Sequence, residues 1–260
     1  YNLYILLHNI NMWQKKIKIK YFYEYMLKYD FKNRIGYELN LDTPQTFNEK
    51  LQWLKAYYRD PFMTQCSDKV VVRKIISKKI GSQYLIDIFG IYANEQDIDF
   101  KVLPNKFVLK TNHASGQVII CQDKRTIDCN IIKRTLKMWL SDNYFYDNGE
   151  WVYKDIKPQI ICERFLEGDI VDYKFMCFHG EPQMLFTCSE RNKNLKVTFF
   201  DLDFKKLPFI RTYQSAEYVQ KPEKFEEMIR LARTLAQQFP FVRVDFYENK
   251  GQIYFGELTF

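Results

Sequence analysis

The chain has 260 residues, of which 47% are hydrophobic and 17% aromatic, and its formal net charge is +7. A chain of this length and composition can bury the core of one composite domain or of two compact domains, which excludes a disordered protein. The positive charge suits an acidic ligand or polymer. No nucleic-acid-binding motif is recognisable, so we expect no nucleic-acid partner.

Cysteine spacing and hydropathy bear on the cell compartment. None of the six cysteines has CxxC spacing and several lie in apolar runs, which predicts free thiols in a reducing cytoplasm. No apolar run is long enough to span a membrane. Residues 1–40 mix aromatic residues with lysines and are expected to form helices that pack on the rest of the chain; a peripheral membrane contact is the alternative.

Two helices are predicted between residues 46 and 81. Thr46 and Glu49 have the spacing of a capping box, in which each side chain accepts a hydrogen bond from the other residue's backbone, and they mark the start of the first helix. The second helix is expected to run from about Ser67 to Lys79 and to end at Gly81. The apolar side chains that the first helix can bury are Leu51, Trp53, Leu54 and Tyr57.

Residues 107–121 form two apolar runs joined by a loop of small polar residues, which predicts a β-hairpin. Alternation along the first run places Lys110 on the face opposite Phe107 and Leu109. A lysine on a buried sheet face is costly unless an anion meets it, and the backbone N–H groups of the loop can help to hold one. A phosphate is the natural candidate. The alternative is an ordinary hairpin whose Lys110 reaches water.

The second half of the chain alternates apolar strands with an amphipathic helix. Glu163 is the lone carboxylate near the end of a buried strand that is expected to run out into a hinge. The predicted elements are a helix over 126–141, a strand over 159–166, hairpins over 171–188 and 197–207, a helix over 224–239, and strands over 241–247 and 252–260.

The last two predicted strands bring charged side chains together. With residues 249–251 as the connecting loop, Arg243 lies opposite Glu257 and Asp245 opposite Phe255, so both carboxylates and the arginine share one face. Neighbouring carboxylates suit Mg²⁺, which binds one or two carboxylates together with substrate phosphates. The alternative is a structural ion pair between Arg243 and Glu257 beside a solvated Asp245.

Taken together, these segments resemble the ATP-grasp superfamily, and within it the TupA-like branch, named for teichuronopeptide biosynthesis and found in bacterial polysaccharide loci. The resemblance runs in order from about residue 20 to the end of the chain. The matching segments are PQTFNEK at 44–50, DKxxxR at 68–73, VLKTNHASG at 108–116, DYKF at 172–175, FVRVD at 241–245 and FGELTF at 255–260.

The resemblance implies an α+β ATP-grasp fold, in which two α+β lobes clamp a nucleotide, preceded by an N-terminal helical segment. The implied segment covers residues 1–66 and the ATP-grasp domain residues 67–260, with a first lobe at 67–158 and a second at 159–260. Relatives continue with a Pro-Gly-Ser-Gly-type segment, so the chain is expected to be truncated at its C-terminal end.

The resemblance also implies ATP and Mg²⁺ as cofactors and assigns roles by position. Lys110 would contact ATP phosphates from the first lobe and Lys174 from the second, while Arg243 would stabilise the transferred charge. The implied nucleotide-binding residues are Lys69, Lys110, Asn112, His113, Ser115, Gly116, Glu163, Phe165, Leu166 and Lys174. The implied catalytic residues are Arg243 and Lys174, and the implied metal ligands are Asp245 and Glu257.

The activity implied by the resemblance is carboxylate–amine ligation. ATP phosphorylates a carboxylate to an acylphosphate, and an amine then attacks it to give an amide, releasing ADP and phosphate. The expected partners are an acidic sugar or polysaccharide precursor and an amine or amino acid, in a bacterial cytoplasm. The alternatives are a phosphotransferase or glycosyltransferase-associated enzyme of a polysaccharide locus, and a non-catalytic nucleotide-binding module.

Overall fold

The computed structural model describes residues 23–190, 194–210 and 212–260, and the predictions for residues 1–22 lie outside these ranges. The helices of the described residues are α1 (23–35), α2 (Phe47–Tyr57), α3 (Pro61–Ser67), α4 (Val72–Lys79), α5 (Cys129–Ser141), α6 (Phe145–Asn148) and α7 (Phe225–Ala236). The strands are β1 (Ile88–Tyr92), β2 (Phe107–Thr111), β3 (Val118–Cys121), β4 (Ile160–Arg164), β5 (Asp172–Phe178), β6 (Glu181–Ser189), β7 (Lys196–Phe200), β8 (Phe241–Asn249) and β9 (Gln252–Thr259).

The predicted capping box begins α2. The Thr46 hydroxyl accepts a hydrogen bond from the Glu49 N–H, and the Glu49 carboxylate accepts one from the Thr46 N–H. The predicted burial of Trp53 and Tyr57 is wrong, because these side chains are 38% and 44% exposed. The apolar face of α2 lies over a groove instead of the core, and Phe47 packs edge-on against two phenylalanines of the second sheet.

The predicted start of the second helix at Ser67 is wrong. Ser67 is the last residue of a short helix, α3, and the helix that ends at Lys79, α4, begins only at Val72. The chain turns between them because the buried Asp68 carboxylate accepts hydrogen bonds from the N–H groups of Val70 and Val71. The predicted end at Lys79 is confirmed.

The first sheet is antiparallel, with the strand order β1-β4-β2-β3. The predicted hairpin is confirmed as β2 and β3. Phe107 and Leu109 are fully buried against α5, whose Leu136 belongs to the same core cluster, while Lys110 lies half-buried on the opposite face. The face opposite this core therefore carries Lys110 and Glu163 among apolar side chains.

The second sheet is also antiparallel, with the order β7-β6-β5-β8-β9. The predicted amphipathic helix is confirmed as α7. It packs on β5, β6 and β8. Its buried residues are Phe225, Met228, Ile229, Ala232, Leu235 and Ala236. Helices α3 and α4 join this core through Met63, Cys66, Val72 and Ile76.

The division of the chain between the two sheets differs from the predicted boundary between residues 158 and 159. Strand β4 pairs with β1 and β2, so the chain leaves the first sheet after Arg164. In addition, α4 packs on the core of the second sheet although it precedes residue 158. The predicted lobe ranges therefore do not coincide with the two sheets.

The pairing of β8 with β9 differs by one residue from the predicted register. Asn249 pairs with Gln252, so the loop consists of Lys250 and Gly251 alone, both with positive φ. A bulge at Gly256 then inserts one residue into β9, between the residues that pair with Phe246 and Asp245.

The bulge has a consequence for the charged face. Asp245 lies opposite Glu257, and Arg243 lies opposite Thr259. The predicted pairs of Arg243 with Glu257 and of Asp245 with Phe255 are therefore wrong. The predicted shared face of Arg243, Asp245 and Glu257 is nevertheless confirmed by their direct contacts.

All six cysteines are free thiols, as predicted, and all except Cys129 are buried. Within the described ranges, no helix has both the length and the hydropathy needed to cross a membrane.

Candidate functional site

Charged side chains from both sheets converge on a cleft between them. Lys69 comes from the turn before α4, Arg73 from α4 itself, Lys110 from β2, Glu163 from β4 and Glu257 from β9. The volume of the cleft is about 20 Å³, which is room for little more than one water molecule. The five residues therefore form a closed, strongly charged cluster.

Lys110 meets an anion, and that anion is a residue of the same sheet. Its Nζ lies 2.6 Å from Oε2 of Glu163, while Arg73 Nη1 lies 3.9 Å from the other carboxylate oxygen. Lys110 is therefore paired within its own sheet, and only 18% of its side chain is exposed to water. Glu163 is 6% exposed and balances cations that a bound phosphate would otherwise meet.

Lys69 is fixed against the loop between β2 and β3. Its Nζ donates to the carbonyl oxygen of Ala114 at 2.5 Å, and its N–H donates to that of Asn112. Burial lowers the pKa of Lys69 to about 8, with the neighbouring Lys110 acting in the same direction and the carboxylates of Glu257 and Glu163 opposing them. The ammonium is therefore held where a further anion would stabilise its charge.

The loop that was predicted to cover phosphates is divided into a buried base and an exposed tip. Asn112 donates to Oδ1 of Asp68 and to the Lys157 carbonyl, each at 3.0 Å, and accepts from the Gln159 N–H at 2.7 Å. These contacts engage the side-chain amide of Asn112 and hold the loop in place, while its contact with a nucleotide stays a prediction.

His113 also belongs to the base of the loop. It is 1% exposed, and burial together with Lys69 lowers its pKa, so its ring is neutral near pH 7. Its predicted contact with a nucleotide does not fit this burial. Ser115 and Gly116 form the exposed tip. Gly116 has a positive φ of +78°, and the space beside its Cα is open. The tip is therefore the part of the loop that is free to contact a ligand.

A second charged cluster lies on the same face of β5, β8 and β9. Arg243 donates to both carboxylate oxygens of Asp245 at 2.7 and 2.8 Å, and to Oε1 of Glu257 at 2.9 Å. Lys174 on β5 pairs with Asp245 and lies 3.5 Å from Asp172. Lys174 is thus engaged within its own sheet and does not line the cleft, and its contact with phosphates stays a prediction.

The protonation states in this second cluster are set by its own ion pairs. Burial works against the charge of Asp245, but Arg243 and Lys174 hold the pKa of that carboxyl below its usual range. Burial likewise opposes the charge of Arg243, yet Asp245 and Glu257 raise its pKa. The alternative of a solvated Asp245 is therefore wrong, because the side chain is 1% exposed and fully paired.

The two predicted metal ligands differ in their access to a metal ion. Both oxygens of Asp245 are occupied by Arg243 and Lys174, so this carboxylate does not fit a Mg²⁺ ion in the present arrangement. Glu257 is 32% exposed and lines the cleft, and it fits the single-carboxylate mode in which phosphates supply other ligands. Among the described residues, no group of three or more His, Cys, Asp and Glu side chains could hold a metal ion.

The structure thus brings four of the predicted site residues together in the cleft: Lys69, Lys110, Glu163 and Glu257. Phe165 and Leu166 follow β4 and are half-buried. The predicted roles missed Arg73, which lies in the cleft. The sequence motif already pointed to Arg73, because this residue ends the DKxxxR segment that begins with Asp68.

The family model TupA-like ATPgrasp matches residues 49–260, so the chain belongs to the TupA-like ATP-grasp family. This confirms the predicted membership and the α+β ATP-grasp fold. No curated protein is significantly similar to the chain.

Solved structures of low sequence identity were also found. The D-alanine–D-alanine ligase from Bacillus anthracis is 19% identical over 75% of this chain and 56% of that protein, with a TM-score of 0.46. The L-amino acid ligase from Bacillus licheniformis is 16% identical over 84% and 48%, with a TM-score of 0.45. N5-carboxyaminoimidazole synthetase from Staphylococcus aureus complexed with ADP is 13% identical over 75% and 44%, with a TM-score of 0.43. The chain spans about half the length of these proteins.

Proposed function

We propose that the chain is the catalytic part of an ATP-dependent carboxylate–amine ligase that acts through an acylphosphate. The observation that supports this most directly is the convergence of Lys69, Arg73 and Lys110 with Glu257 in one cleft of an ATP-grasp protein. Three cations beside a half-exposed carboxylate suit a polyphosphate and its metal ion.

The roles of the cleft residues follow from their contacts. Lys69 and Lys110 would neutralise the nucleotide phosphates, and a phosphate that takes Lys110 would release Glu163 to accept hydrogen bonds from the rest of the nucleotide. Glu257 would hold Mg²⁺, which when bound would screen the phosphate charge. Arg243, paired with Glu257, lies where it could stabilise the transferred phosphoryl group.

The predicted contact of Lys174 with a phosphate and of Asp245 with a metal ion would each require a change in the structure. Their mutual ion pair would have to open before Lys174 met a phosphate or Asp245 a metal ion. In the structure as it stands, the pair holds Arg243 in position, since Asp245 binds both cations. We therefore propose that Asp245 and Lys174 orient Arg243.

The proposed substrates are an acidic sugar or polysaccharide precursor and an amine or amino acid, in a bacterial cytoplasm. The net charge of +7 and the membership of a TupA-like family support this part of the proposal.

The test is a calorimetric titration with a non-hydrolysable ATP analogue, with and without Mg²⁺. We expect Lys110→Ala to weaken binding by about tenfold or more, because it removes a charge-assisted contact. Glu257→Gln should remove most of the gain from Mg²⁺. The matched control is Lys205→Ala, since Lys205 is 75% exposed and outside the cleft.

Turnover then separates the proposed activity from its alternatives. A ligase releases ADP and phosphate and forms an amide when a carboxylate and an amine are both present. A phosphorylated sugar without an amide would instead indicate a phosphotransferase, and analogue binding without turnover would indicate a nucleotide-binding module. A folded wild-type chain that binds no nucleotide would contradict the proposal.

A further inference from the structure

A second and much larger cavity adjoins the cleft. It is a groove of about 940 Å³ between α2 and the second sheet. Arg243 lines this groove, whereas Glu257, its ion-pair partner, lines the cleft, so the ion pair stands between the two cavities. A group bound in the groove would therefore reach the same arginine from the opposite side.

One wall of the groove is built from phenylalanines. Phe47 of α2, Phe178 of β5 and Phe241 of β8 pack against one another with ring centroids 5.1 to 5.5 Å apart. Met176 and Met184 extend the same apolar surface. Such a wall binds an apolar group by excluding water and offers few partners for the hydroxyl groups of a sugar.

Two opposite charges face this apolar groove, and neither has a close partner among the described residues. Lys55 of α2 and Glu150 after α6 both line it and are half-buried, and no described residue lies within ion-pairing distance of either. Burial lowers the pKa of Lys55 and raises that of Glu150, while each charge acts favourably on the other. A ligand carrying both an ammonium and a carboxylate would compensate both residues.

We propose that the groove binds the amine substrate, an α-amino acid with a large apolar side chain, with its ammonium at Glu150, its carboxylate at Lys55 and its side chain against the phenylalanine wall. This inference rests on the proposed ligase function and names the class of its amine substrate. An anion alone would leave Glu150 uncompensated, and a simple amine would leave Lys55 uncompensated.

The groove residues would also serve the proposed reaction. An ammonium has no free electron pair, so it first gives one proton to Glu150. The nitrogen electron pair then attacks the carbonyl carbon of the acylphosphate, the C–N bond forms, and the C–O bond to phosphate breaks with its electron pair leaving on phosphate. The nitrogen loses its second proton to the departing phosphate. Arg243 would balance the negative charge on that phosphate.

The inference can be tested with small probes on the full chain. Phenylalanine carries both charges, phenylethylamine only the ammonium and 3-phenylpropionate only the carboxylate, while glycine lacks the apolar side chain and glucuronate is an acidic sugar. Their binding can be measured by calorimetry. We expect phenylalanine to bind more tightly than glycine or glucuronate.

Two variants of similar size separate the roles of the charged residues. We expect Glu150→Gln to weaken the binding of phenylalanine and of phenylethylamine by about tenfold or more, and to leave the binding of 3-phenylpropionate unchanged. Lys55→Gln should weaken the binding of phenylalanine and of 3-phenylpropionate but not that of phenylethylamine. A merely structural role would weaken all three probes alike, and that result would overturn the inference. Tighter binding of glucuronate than of phenylalanine, or no binding of any probe, would also overturn it.

The ATP-analogue titration, run on the same samples, keeps the two proposals apart and checks that each variant is folded. If the probes bind as expected but no nucleotide does, the groove is an amino-acid site and the ligase proposal falls. If the nucleotide binds but the probes do not, the ligase proposal stands and the inference about the groove falls.

Discussion

The charge on Lys69 is the feature of the cleft most sensitive to pH near neutrality. Burial lowers the pKa of this lysine to about 8, and a bound polyphosphate would stabilise the charged form and raise that pKa again. We therefore expect nucleotide binding to weaken as the pH rises through about 8, and to take up protons there. Calorimetry just above that pH, in two buffers of different ionisation enthalpy, measures the proton uptake.

The control for this prediction is Lys69→Arg, because a guanidinium stays protonated throughout the range. This variant should bind the nucleotide without proton uptake at Lys69 and with a flatter dependence on pH. An undiminished proton uptake in the arginine variant would show that a different group titrates on binding.

Asp245 is the carboxylate on which the second cluster depends. It is 1% exposed and pairs with both Arg243 and Lys174. Asp245→Asn would remove the buried anion that Arg243 and Lys174 share and leave them only Glu257 and Asp172, so we expect it to lower the free energy of unfolding by roughly 3–5 kcal/mol. Urea denaturation of the wild type and the variant measures this difference. Asp203→Asn, at a residue that is 74% exposed, should change it by less than about 0.5 kcal/mol.

The same substitution predicts a dependence on pH. The pKa of Asp245 is lower in the folded state than its unfolded value of about 3.9. Its contribution to stability is therefore complete above the unfolded pKa and is lost as the pH falls through the folded pKa. The stability difference between wild type and Asp245→Asn should shrink on acidification below about pH 4. A difference that does not change with pH would contradict this assignment.

At the scale of elements, the loop between β2 and β3 depends on its buried base. Asn112 joins three segments through Asp68, Lys157 and the N–H of Gln159. We expect Asn112→Ala to lower the free energy of unfolding by roughly 2–3 kcal/mol, because it removes three hydrogen bonds and leaves buried groups unpaired. Ser115→Ala, at the exposed tip, should change stability by less than about 0.5 kcal/mol. Chemical denaturation measures the free energy of unfolding of both variants. Equal losses would contradict the division of the loop into a buried base and an exposed tip.

Elements with a long or regular pattern could be predicted from the sequence, and α7 and the hairpin of β2 and β3 are examples. The alternation of side chains did not predict the pairing of β8 with β9, because one extra residue changes the register of the strands. The bulge at Gly256 places Phe255 in the core and Glu257 on the charged face, although a regular strand would direct both to the same face. Nothing in the spacing of charged and apolar residues marks that bulge in advance.

Contacts between distant segments were the other part that sequence patterns could not predict. One partner of Asp245 is Lys174, which lies on β5 and meets it only because β5 and β8 are neighbours in the sheet. Likewise, the charged residues of DKxxxR read as an ordinary helix start, whereas Asp68 is buried and caps a turn. The family resemblance pointed to the right residues in the cleft, but their mutual ion pairs follow only from the fold.

For the molecule as a whole, the size of the cleft sets a condition on nucleotide binding. A volume of about 20 Å³ admits no nucleotide, so we expect the cleft to widen, by movement of the two sheets, before ATP reaches Lys69 and Lys110. A contact that joins the sheets near the cleft is the hydrogen bond from Arg164 of β4 to the Tyr254 hydroxyl of β9, at 2.9 Å. The guanidinium also lies over the tyrosine ring, 5.5 Å from its centroid.

Tyr254→Phe tests whether this contact holds the cleft closed, because it removes the hydroxyl and keeps the ring under Arg164. A hydrogen bond of this kind contributes about 0.5–1.5 kcal/mol, so its loss should raise the population of open molecules by roughly two- to tenfold. We expect the association rate of the ATP analogue, measured by stopped-flow fluorescence, to rise by a similar factor. Tyr218→Phe is the matched control, since Tyr218 is 79% exposed and does not line the cleft. An unchanged rate in Tyr254→Phe would mean that opening of the sheets at this contact does not limit nucleotide entry.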